Sequence, residues 1–200
     1  MRAGQSEYVS VFVCGVQKSG TTSLFAHFQE HPQLADPIRK ELHFFDNEEQ
    51  DWTVPDYTPL HACFESETGP LLRYDVTPIY SFWPPSLERI ARYNSDARLI
   101  FLFRDPFERA WSQWCMEWAR GSENLSFASA IREGRLRVDG LGETAPERRI
   151  FSYVERGFYA AQVERALRLF PREQLLFLRS DDLRDDHART LDRIADFLNI

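Results

Sequence analysis

An apolar segment that runs through a glycine into a turn and then a helix constrains this chain more than any other feature. Residues 8–14 (YVSVFVC) are mostly β-branched or aromatic and predict a buried strand that ends at Gly15. Residues 21–31 have the apolar spacing of a helix, which Pro32 ends. A turn between a strand and a helix N-terminus presents backbone N–H groups and the positive end of the helix dipole. The segment therefore predicts an anion-binding turn.

The side chains of this turn suit a phosphate. Glycines allow close approach of the backbone, hydroxyl groups donate hydrogen bonds, and Lys18 adds a positive charge. The residues predicted to bind the anion are Gly15, Lys18, Ser19, Gly20, Thr21, Thr22 and Ser23. An ordinary turn with a threonine as helix N-cap is the alternative. A Walker A sequence has lysine directly after the second glycine, whereas Thr21 follows Gly20 here. This departure disfavours an ATPase or a kinase.

Strands and helices alternate along the rest of the chain. Apolar periodicity predicts strands over residues 71–74, 98–103 and 174–178, and helices over residues 85–93, 106–119, 126–133, 158–170 and 187–198. Residues 46–69 are expected to cross the surface, and residues 134–149 to form a loop. The alternation predicts a three-layer α/β fold, in which helices flank a central, mainly parallel sheet. We expect one domain over residues 1–200, because no linker is visible.

Composition limits the partners of the chain. The 43% hydrophobic content supplies one core, and the net charge of -7 disfavours sequence-independent binding of nucleic acid. A few basic residues can still focus a positive field in a cleft. The three cysteines lack metal-ligand spacing and are expected to be free and buried. No signal-peptide segment or membrane-spanning apolar run is visible, so a cytoplasmic location is expected.

A second group of polar residues follows the strand over residues 98–103. Arg104 lies at the carboxyl end of that strand, where open α/β sheets bind ligands, and Ser112 lies two turns into the next helix. The planar guanidinium suits a phosphate, although pairing with Asp105 or Glu108 is the alternative. Three tryptophans on the same helix have the spacing of a core-facing side, with an acceptor pocket as the alternative: Trp111, Trp114 and Trp118.

Residues 40–46 (KELHFFD) contain a carboxylate and an imidazole that could activate an acceptor. A general base must reach the acceptor proton and needs a pKa suited to the working pH. Glu41 and His43 alternate with apolar residues, so they would share one face of an extended segment. From the residues alone, a solvated carboxylate and a capping histidine are the simpler interpretation.

These motifs, in this order, resemble those of the sulfotransferases that use 3'-phosphoadenosine-5'-phosphosulfate (PAPS) as donor. The glycine turn matches Gly-x-x-Lys-[Ser/Gly]-Gly-Thr, and residues 41–45 match Glu-x-His-Phe-Phe. The Arg-Asp-Pro end of the strand, with a serine eight residues after the arginine, resembles the family's 3'-phosphate site. The resemblance is closest to the heparan-sulfate-modifying branch and its bacterial relatives. It extends over nearly the whole chain and implies a P-loop-like fold.

The resemblance implies a direct, in-line and metal-independent transfer of a sulfuryl group from PAPS, which leaves adenosine 3',5'-bisphosphate (PAP). The acceptor group would be a hydroxyl, with an amine as the alternative, on a small molecule, a lipid or a carbohydrate. The glycine turn would hold the 5'-phosphosulfate, and Arg104 and Ser112 the 3'-phosphate. Glu41 is the implied general base, with His43 as helper or second choice. Lys18 would stabilise negative charge on the leaving oxygen.

Two departures from the family pattern limit these expectations. Residues 75–80 (DVTPIY) resemble a Lys-Thr-Pro-x-Tyr segment of the family, but Val76 stands where the heparan-sulfate branch has lysine. That difference argues against a sulfated, polyanionic acceptor. The family's basic C-terminal loop has no match, so the C-terminal part of the domain is expected to be missing. A P-loop kinase or other phosphotransferase, and an inactive nucleotide-binding protein, are the alternatives, and the oligomeric state is not predicted.

Overall fold

The computed structural model describes residues 8–64 and 71–200, and its central feature is a parallel sheet. Five strands, β1 to β5, pair in the order β2-β3-β1-β4-β5, and every pairing is parallel. They comprise Val9–Gly15, Leu34–Ala35, Leu72–Val76, Arg98–Phe103 and Leu175–Arg179. The four predicted strands are β1, β3, β4 and β5. The two-residue edge strand β2 was not predicted, because it is too short to show a periodicity.

Helices cover both faces of this sheet. In the described part of the chain they are α1 to α9: Thr21–Gln29, Thr58–His61, Pro84–Tyr93, Pro106–Ala119, Phe127–Val138, Glu147–Phe151, Tyr159–Leu169, Ser180–Asp185 and His187–Leu198. Short 3-10 turns occupy Glu155–Gly157 and Arg172–Gln174. The predicted helices correspond to α1, α3, α4, α5, α7 and α9. The α/β fold is therefore confirmed, and α2, α6 and α8 escaped prediction because each spans fewer than two turns.

Two layers of core form because side chains alternate along the central strands. Phe12 of β1 and Phe101 of β4 pack on one face of the sheet, together with the fully buried Trp83. Val13 of β1 and Ile100 of β4 pack on the opposite face. A strand buried on both sides has no polar face, which is why residues 8–14, apart from Ser10, and residues 99–103 are apolar.

The loop expected over residues 134–149 is confirmed only for residues 139–146. Helix α5 continues to Val138, and α6 begins at Glu147. Gly134, which suggested a turn, is buried inside α5, and a Cβ there would lie 3.2 Å from the carbonyl oxygen of Phe151. The glycine therefore permits close packing of α5 against the end of α6 instead of breaking the helix.

Of the three tryptophans of α4 that were expected to face the core, only Trp114 packs against buried residues. Trp111 and Trp118 are 47% and 49% exposed, and both rings stack against Trp114, with centroids 5.1 and 5.2 Å apart. The buried positions of α4 are instead Arg109, Ala110, Gln113 and Glu117. Its inner side is mostly polar because it hydrogen-bonds the segment around Ile150 and Tyr153, which turns the aromatic stripe outward. None of the three tryptophans lines the main cavity.

Two smaller expectations need correction. Of the three thiols, Cys14 is buried, Cys63 is half-buried and Cys115 is exposed. The surface excursion over residues 46–69 begins with a buried side chain, since Asp46 is 1% exposed, and it contains α2. Residues 65–69 of that excursion lie outside the described residues.

No helix of the described chain is long and apolar enough to cross a membrane.

Candidate active site

A cavity of about 1110 Å³ lies at the carboxyl ends of the strands. Segments that follow β1, β2 and β3 line it, together with α4 and residues 149–156. Parallel strands direct their carboxyl ends to one edge, so segments distant in sequence meet there. The predicted site residues on its wall are Lys18, Gly20, Thr21, Thr22, Glu41, His43 and Ser112. The other predicted residues, Gly15, Ser19, Ser23 and Arg104, do not line the cavity.

The turn after β1 has the features of an anion site. Gly20, at φ 90°, is the N-cap of α1, and no side chain caps the helix, so its first N–H groups have no side-chain partner. The buried hydroxyl of Ser19 has no hydrogen-bond partner. Lys18 forms no salt bridge with the described residues, and burial lowers its pKa, assisted by the nearby charge of Arg120. A phosphate in the cavity would pair with the free N–H groups of α1 and with Lys18, which line it, whereas Ser19 lies behind the wall.

Gly15 serves the turn through packing and not through the cavity. A Cβ at this position would lie 2.4 Å from Oγ of Ser81 and 2.9 Å from the carbonyl oxygen of Pro78. Only glycine lets β1 end this close to the segment after β3. The next residue continues the tie to the sheet, since the backbone N–H of Val16 donates to the carbonyl of Leu102 at 2.9 Å.

The second predicted site is only partly assembled. Ser112 of α4 lies on the cavity wall. Nε of Arg104 pairs with Oε2 of Glu108 at 3.0 Å, which was the alternative from the sequence, and its Nη1 donates to the carbonyl of Lys18 at 3.2 Å. Arg104 therefore contacts the glycine turn from behind. Asp105 caps α4 by accepting from the N–H groups of residues 107 and 108, each at 3.0 Å.

The segment that carries the candidate base is not extended. Glu41 and His43 have φ angles of 60° and 54°, and Lys18 has 71°, so the three candidate catalytic residues all occupy the left-handed region. The expectation that Glu41 and His43 lie on one face of an extended segment is therefore wrong. Both side chains still reach the same cavity, because the left-handed residues bend the segment around it. Such backbone strain concentrates at functional sites.

The end of β3 and Tyr80, which follows it, hold this bent segment in place. The N–H of Glu41 donates to the carbonyl of Val76 at 3.2 Å, and the N–H of Leu42 donates to Oδ1 of Asp75 at 3.4 Å. The hydroxyl of Tyr80 donates to Oδ2 of Asp75 at 2.7 Å and accepts from the N–H of Phe44 at 3.2 Å. Burial raises the pKa of Asp75 to about 6, although these hydrogen bonds oppose it. The motif over residues 75–80 thus supports the base segment.

The charged groups around Glu41 and His43 shift the pKa values of the two side chains in opposite directions. Burial raises the pKa of Glu41, but hydrogen bonds from His43 and Lys40 outweigh it and lower the pKa to about 2. Hydrogen bonds to Asp46 and Glu41 raise the pKa of His43 to about 9, against the effect of burial. At neutral pH the carboxylate is ionised and the imidazole is protonated. Glu41 can accept a proton in that state and His43 cannot.

Several residues of the cavity were missed by the sequence analysis. They are Gln17, Asp46, Glu117, Arg149 and Arg156. Asp46 accepts from Nδ1 of His43 at 2.9 Å and pairs with Arg149. Burial raises the pKa of Glu117, whose nearest cation is Arg120 at 3.5 Å. Neither arginine of the segment 149–156 lies in a motif, and only the fold brings that segment to the cavity.

Positive charge exceeds negative charge on the cavity wall. Six cations line it: Lys18, Arg39, Lys40, Arg120, Arg149 and Arg156. Four carboxylates face them: Glu41, Asp46, Glu49 and Glu117. The protonated His43 adds a seventh positive charge. A basic cavity therefore exists within a chain of net charge -7, as the sequence allowed. Within residues 8–64 and 71–200, no group of three or more His, Cys, Asp or Glu side chains is placed to hold a metal ion.

An uncapped helix after a central parallel strand, beside cations such as Lys18 that lack carboxylate partners among the described residues, is typical of α/β proteins that bind phosphorylated ligands. Residues 9–200 match the family model of the sulfotransferase domain, and the chain belongs to this family.

Curated relatives and solved structures agree with this membership. The chain is 29% identical over 198 residues to human heparan sulfate glucosamine 3-O-sulfotransferase 3B1, covering 99% of this chain and 48% of that protein. It is 26% identical over 199 residues to mouse bifunctional heparan sulfate N-deacetylase/N-sulfotransferase 4, covering 94% of this chain and 22% of that protein. The crystal structure of a sulfotransferase from Alicyclobacillus acidocaldarius superposes with a TM-score of 0.83 at 26% identity, covering 96% and 81% of the two chains. The chain thus spans about half the length of the curated 3-O-sulfotransferase, or less in the bifunctional relative.

Proposed function

We propose that this protein transfers a sulfuryl group from PAPS to a hydroxyl of an acceptor, with an amine as the alternative. The observation that carries the proposal is that one cavity brings together the glycine turn, the ionised carboxylate of Glu41 and Ser112 of α4. Family membership supports the same reaction class. The donor would supply an activated sulfuryl group, and PAP would be the product.

The glycine turn would bind the 5' end of the donor. The uncapped start of α1 offers backbone N–H donors to the oxygens of a phosphate. Thr21 and Thr22 of the first turn of α1 lie on the cavity wall beside them. Lys18 would stabilise the negative charge that develops on the bridging oxygen as the sulfur–oxygen bond breaks. Ser112 would hold the 3'-phosphate, and Arg104 would join it by exchanging its ion pair with Glu108 for the phosphate.

Glu41 would remove the proton from the acceptor hydroxyl as its oxygen attacks sulfur. Its carboxylate is ionised at neutral pH, and Lys40 and His43 orient it. The protonated His43 would fix the carboxylate and would not act as the base. With a pKa near 2, Glu41 is a weak base. A weak base suits a transition state in which the bond from sulfur to the leaving PAP oxygen is largely broken, because the acceptor hydroxyl then needs to lose little of its proton before it attacks sulfur.

The acceptor side of the cavity carries both signs of charge. Arg39 and Arg120 are exposed at its wall, but Glu49 and the buried Glu117 lie there as well. The curated relatives are named for action on heparan sulfate. For this protein we propose a small molecule, a lipid or a carbohydrate without dense sulfation, since Val76 replaces a lysine and Glu117 would repel a polyanion. We propose a cytoplasmic location and no binding of nucleic acid.

Calorimetric titration with PAP, run beside ATP with magnesium, tests the donor site. We expect PAP to bind without metal, and Arg104→Ala to weaken this binding. Preferential binding of ATP with magnesium would instead support a kinase. If PAP binds but no acceptor in a broad screen with labelled PAPS is modified, the inactive nucleotide-binding alternative is favoured. The Walker A departure at Thr21 is the present observation against the kinase.

A further inference from the structure

Arg156 is a buried cation that no sequence motif marked. It is 3% exposed, lies in the turn Glu155–Gly157 and contributes to the cavity wall. Its guanidinium lies 4.8 Å from the centroid of the Phe82 ring and forms no salt bridge with the described residues. Burial lowers its pKa to about 9. Burying an arginine without a carboxylate is costly, so the residue needs a reason beyond packing.

The two ends of this guanidinium contact the two sides of the site. Nη1 donates to Oε1 of Gln17 at 2.7 Å, and Gln17 precedes Lys18 in the glycine turn. Nη2 donates to the backbone carbonyl of Arg149 at 2.8 Å. Arg149 in turn binds the carboxylate and the carbonyl of Asp46, with its guanidinium 4.1 Å from the Trp83 ring centroid. The planar fork of arginine allows both bonds at once.

Asp46 completes the connection to the base. Its Oδ2 lies 2.9 Å from Nδ1 of His43, and Nε2 of His43 lies 3.4 Å from Oε2 of Glu41. A continuous series of polar contacts therefore joins the donor turn to the candidate base. Arg156 and Asp46 are buried, Gln17, Arg149 and Glu41 are half-buried, and His43 is the exposed member of the series. A hydrogen-bonded network of this kind can couple its two ends.

We propose that Arg156 is a positioning residue that couples occupation of the glycine turn to the orientation of His43 and Glu41. The inference rests on the proposed function, because the ligand of the turn is the donor nucleotide. When a phosphate binds beside Lys18, Gln17 moves with the turn, and the fork of Arg156 transmits that movement through Arg149 to Asp46. Occupation of the glycine turn would then change the orientation of the base, which links acceptor activation to the presence of the donor.

Titration of His43 by NMR, with and without PAP, tests this coupling. The five histidines are distinguished by comparison with His43→Asn. The charged groups that face His43 are Glu41 and Asp46 of its own segment, and Arg149 of α6 faces it through Asp46. In the wild-type protein, we expect PAP to shift the midpoint of the His43 titration.

Two variants separate transmission through Arg156 from the direct field of the nucleotide. Gln17→Met removes one contact without changing any charge, and Arg156→Lys keeps the charge but loses the fork. We expect the PAP-induced shift to fall below about half its wild-type size in each, as for residues that act in one network. Arg168→Met removes an exposed arginine of α7 and should leave the shift unchanged.

The outcomes are distinct. If PAP binds all variants and the shift of His43 persists undiminished in both Gln17→Met and Arg156→Lys, the coupling is wrong and the proposed function is untouched. A wild-type protein that binds PAP without any shift of His43 also overturns the coupling. Absence of PAP binding to the wild-type protein overturns the proposed function, and the coupling with it.

Discussion

Nε2 of His43 lies 3.4 Å from Oε2 of Glu41, so a protonated imidazole is in contact with the carboxylate that is proposed to act as base. This contact and the hydrogen bond from Lys40 keep the pKa of Glu41 near 2. The base is therefore ionised throughout the neutral pH range. The contact also predicts how each partner responds to substitution.

Glu41→Gln should abolish transfer while PAP binding is kept, because the amide cannot accept the acceptor proton and the Glu41 carboxylate pairs with Lys40 and His43, not with the glycine turn. Turnover with labelled PAPS and calorimetry with PAP measure the two effects. Loss of PAP binding in this variant would place Glu41 on the donor side instead.

His43→Asn should lower turnover partially and should move the acid limb of the pH–rate profile to higher pH. Removing the imidazolium takes away a cause of the low pKa of Glu41, so this pKa rises and the carboxylate is protonated at a higher pH. The profile of kcat/KM against pH measures the shift. A complete loss of activity in His43→Asn, with Glu41→Gln still active, would assign the base to His43.

Lys18→Ala should reduce kcat by about 10²- to 10³-fold, as is usual for loss of one preorganised donor to a developing charge. The dissociation constant for PAP should change by less than about tenfold, because the charge is used mainly in the transition state. Steady-state kinetics and calorimetry separate the two quantities. Unchanged kcat would remove Lys18 from the mechanism.

Asp75 should make the stability of the wild-type protein depend on pH in the opposite direction to most carboxylates. Its pKa is raised from 3.8 to about 6 on folding, so its contribution is present below about pH 4 and is lost as the pH rises through about 6. The free energy of unfolding of the wild type minus that of Asp75→Asn should therefore fall by about 2–3 kcal/mol between about pH 4 and pH 7. Urea unfolding at several pH values measures it, and a flat difference would contradict the prediction.

Gly15→Ala should destabilise the fold by about 2–3 kcal/mol, as expected for overpacking. A Cβ there would overlap Oγ of Ser81 and the backbone oxygen of Pro78, which cannot both move away. Gly142→Ala is the matched control, because nothing lies within 4 Å of its Cβ position. Thermal or denaturant unfolding compares the two, and equal stabilities would contradict the packing account.

The sequence was sufficient for the sheet and the longer helices, because strands buried on both faces carry uninterrupted apolar residues and α3, α4 and α9 carry full helical periods. It misplaced Trp111 and Trp118, because helical spacing marks a face without saying which face is inward. The sequence also did not reveal that Gly134 lies inside α5 and allows close packing there, because a single glycine in a sequence is compatible with a turn or with a packed helix. These errors share one cause: they depend on which segments meet across the fold.

The same limit applies to the site. Lys18, Glu41, His43 and Ser112 stand in local motifs and do meet in one cavity. Arg149 and Arg156 reach it from more than 100 residues away, through contacts with Asp46 and Gln17 that no spacing encodes. The protonation states of Glu41 and His43 were equally out of reach, since they follow from neighbours that only the folded chain supplies.

The left-handed backbone of Lys18, Glu41 and His43 has a consequence for attempts to make this protein more heat-resistant. A non-glycine residue in that conformation costs about 1–2 kcal/mol, so the three together lower the melting temperature by several degrees. A screen that selects only for thermal resistance would favour glycine at these positions. Such a screen would enrich variants that survive heating and have lost the side chains proposed for catalysis. Thermal stability and activity would therefore conflict at these three residues.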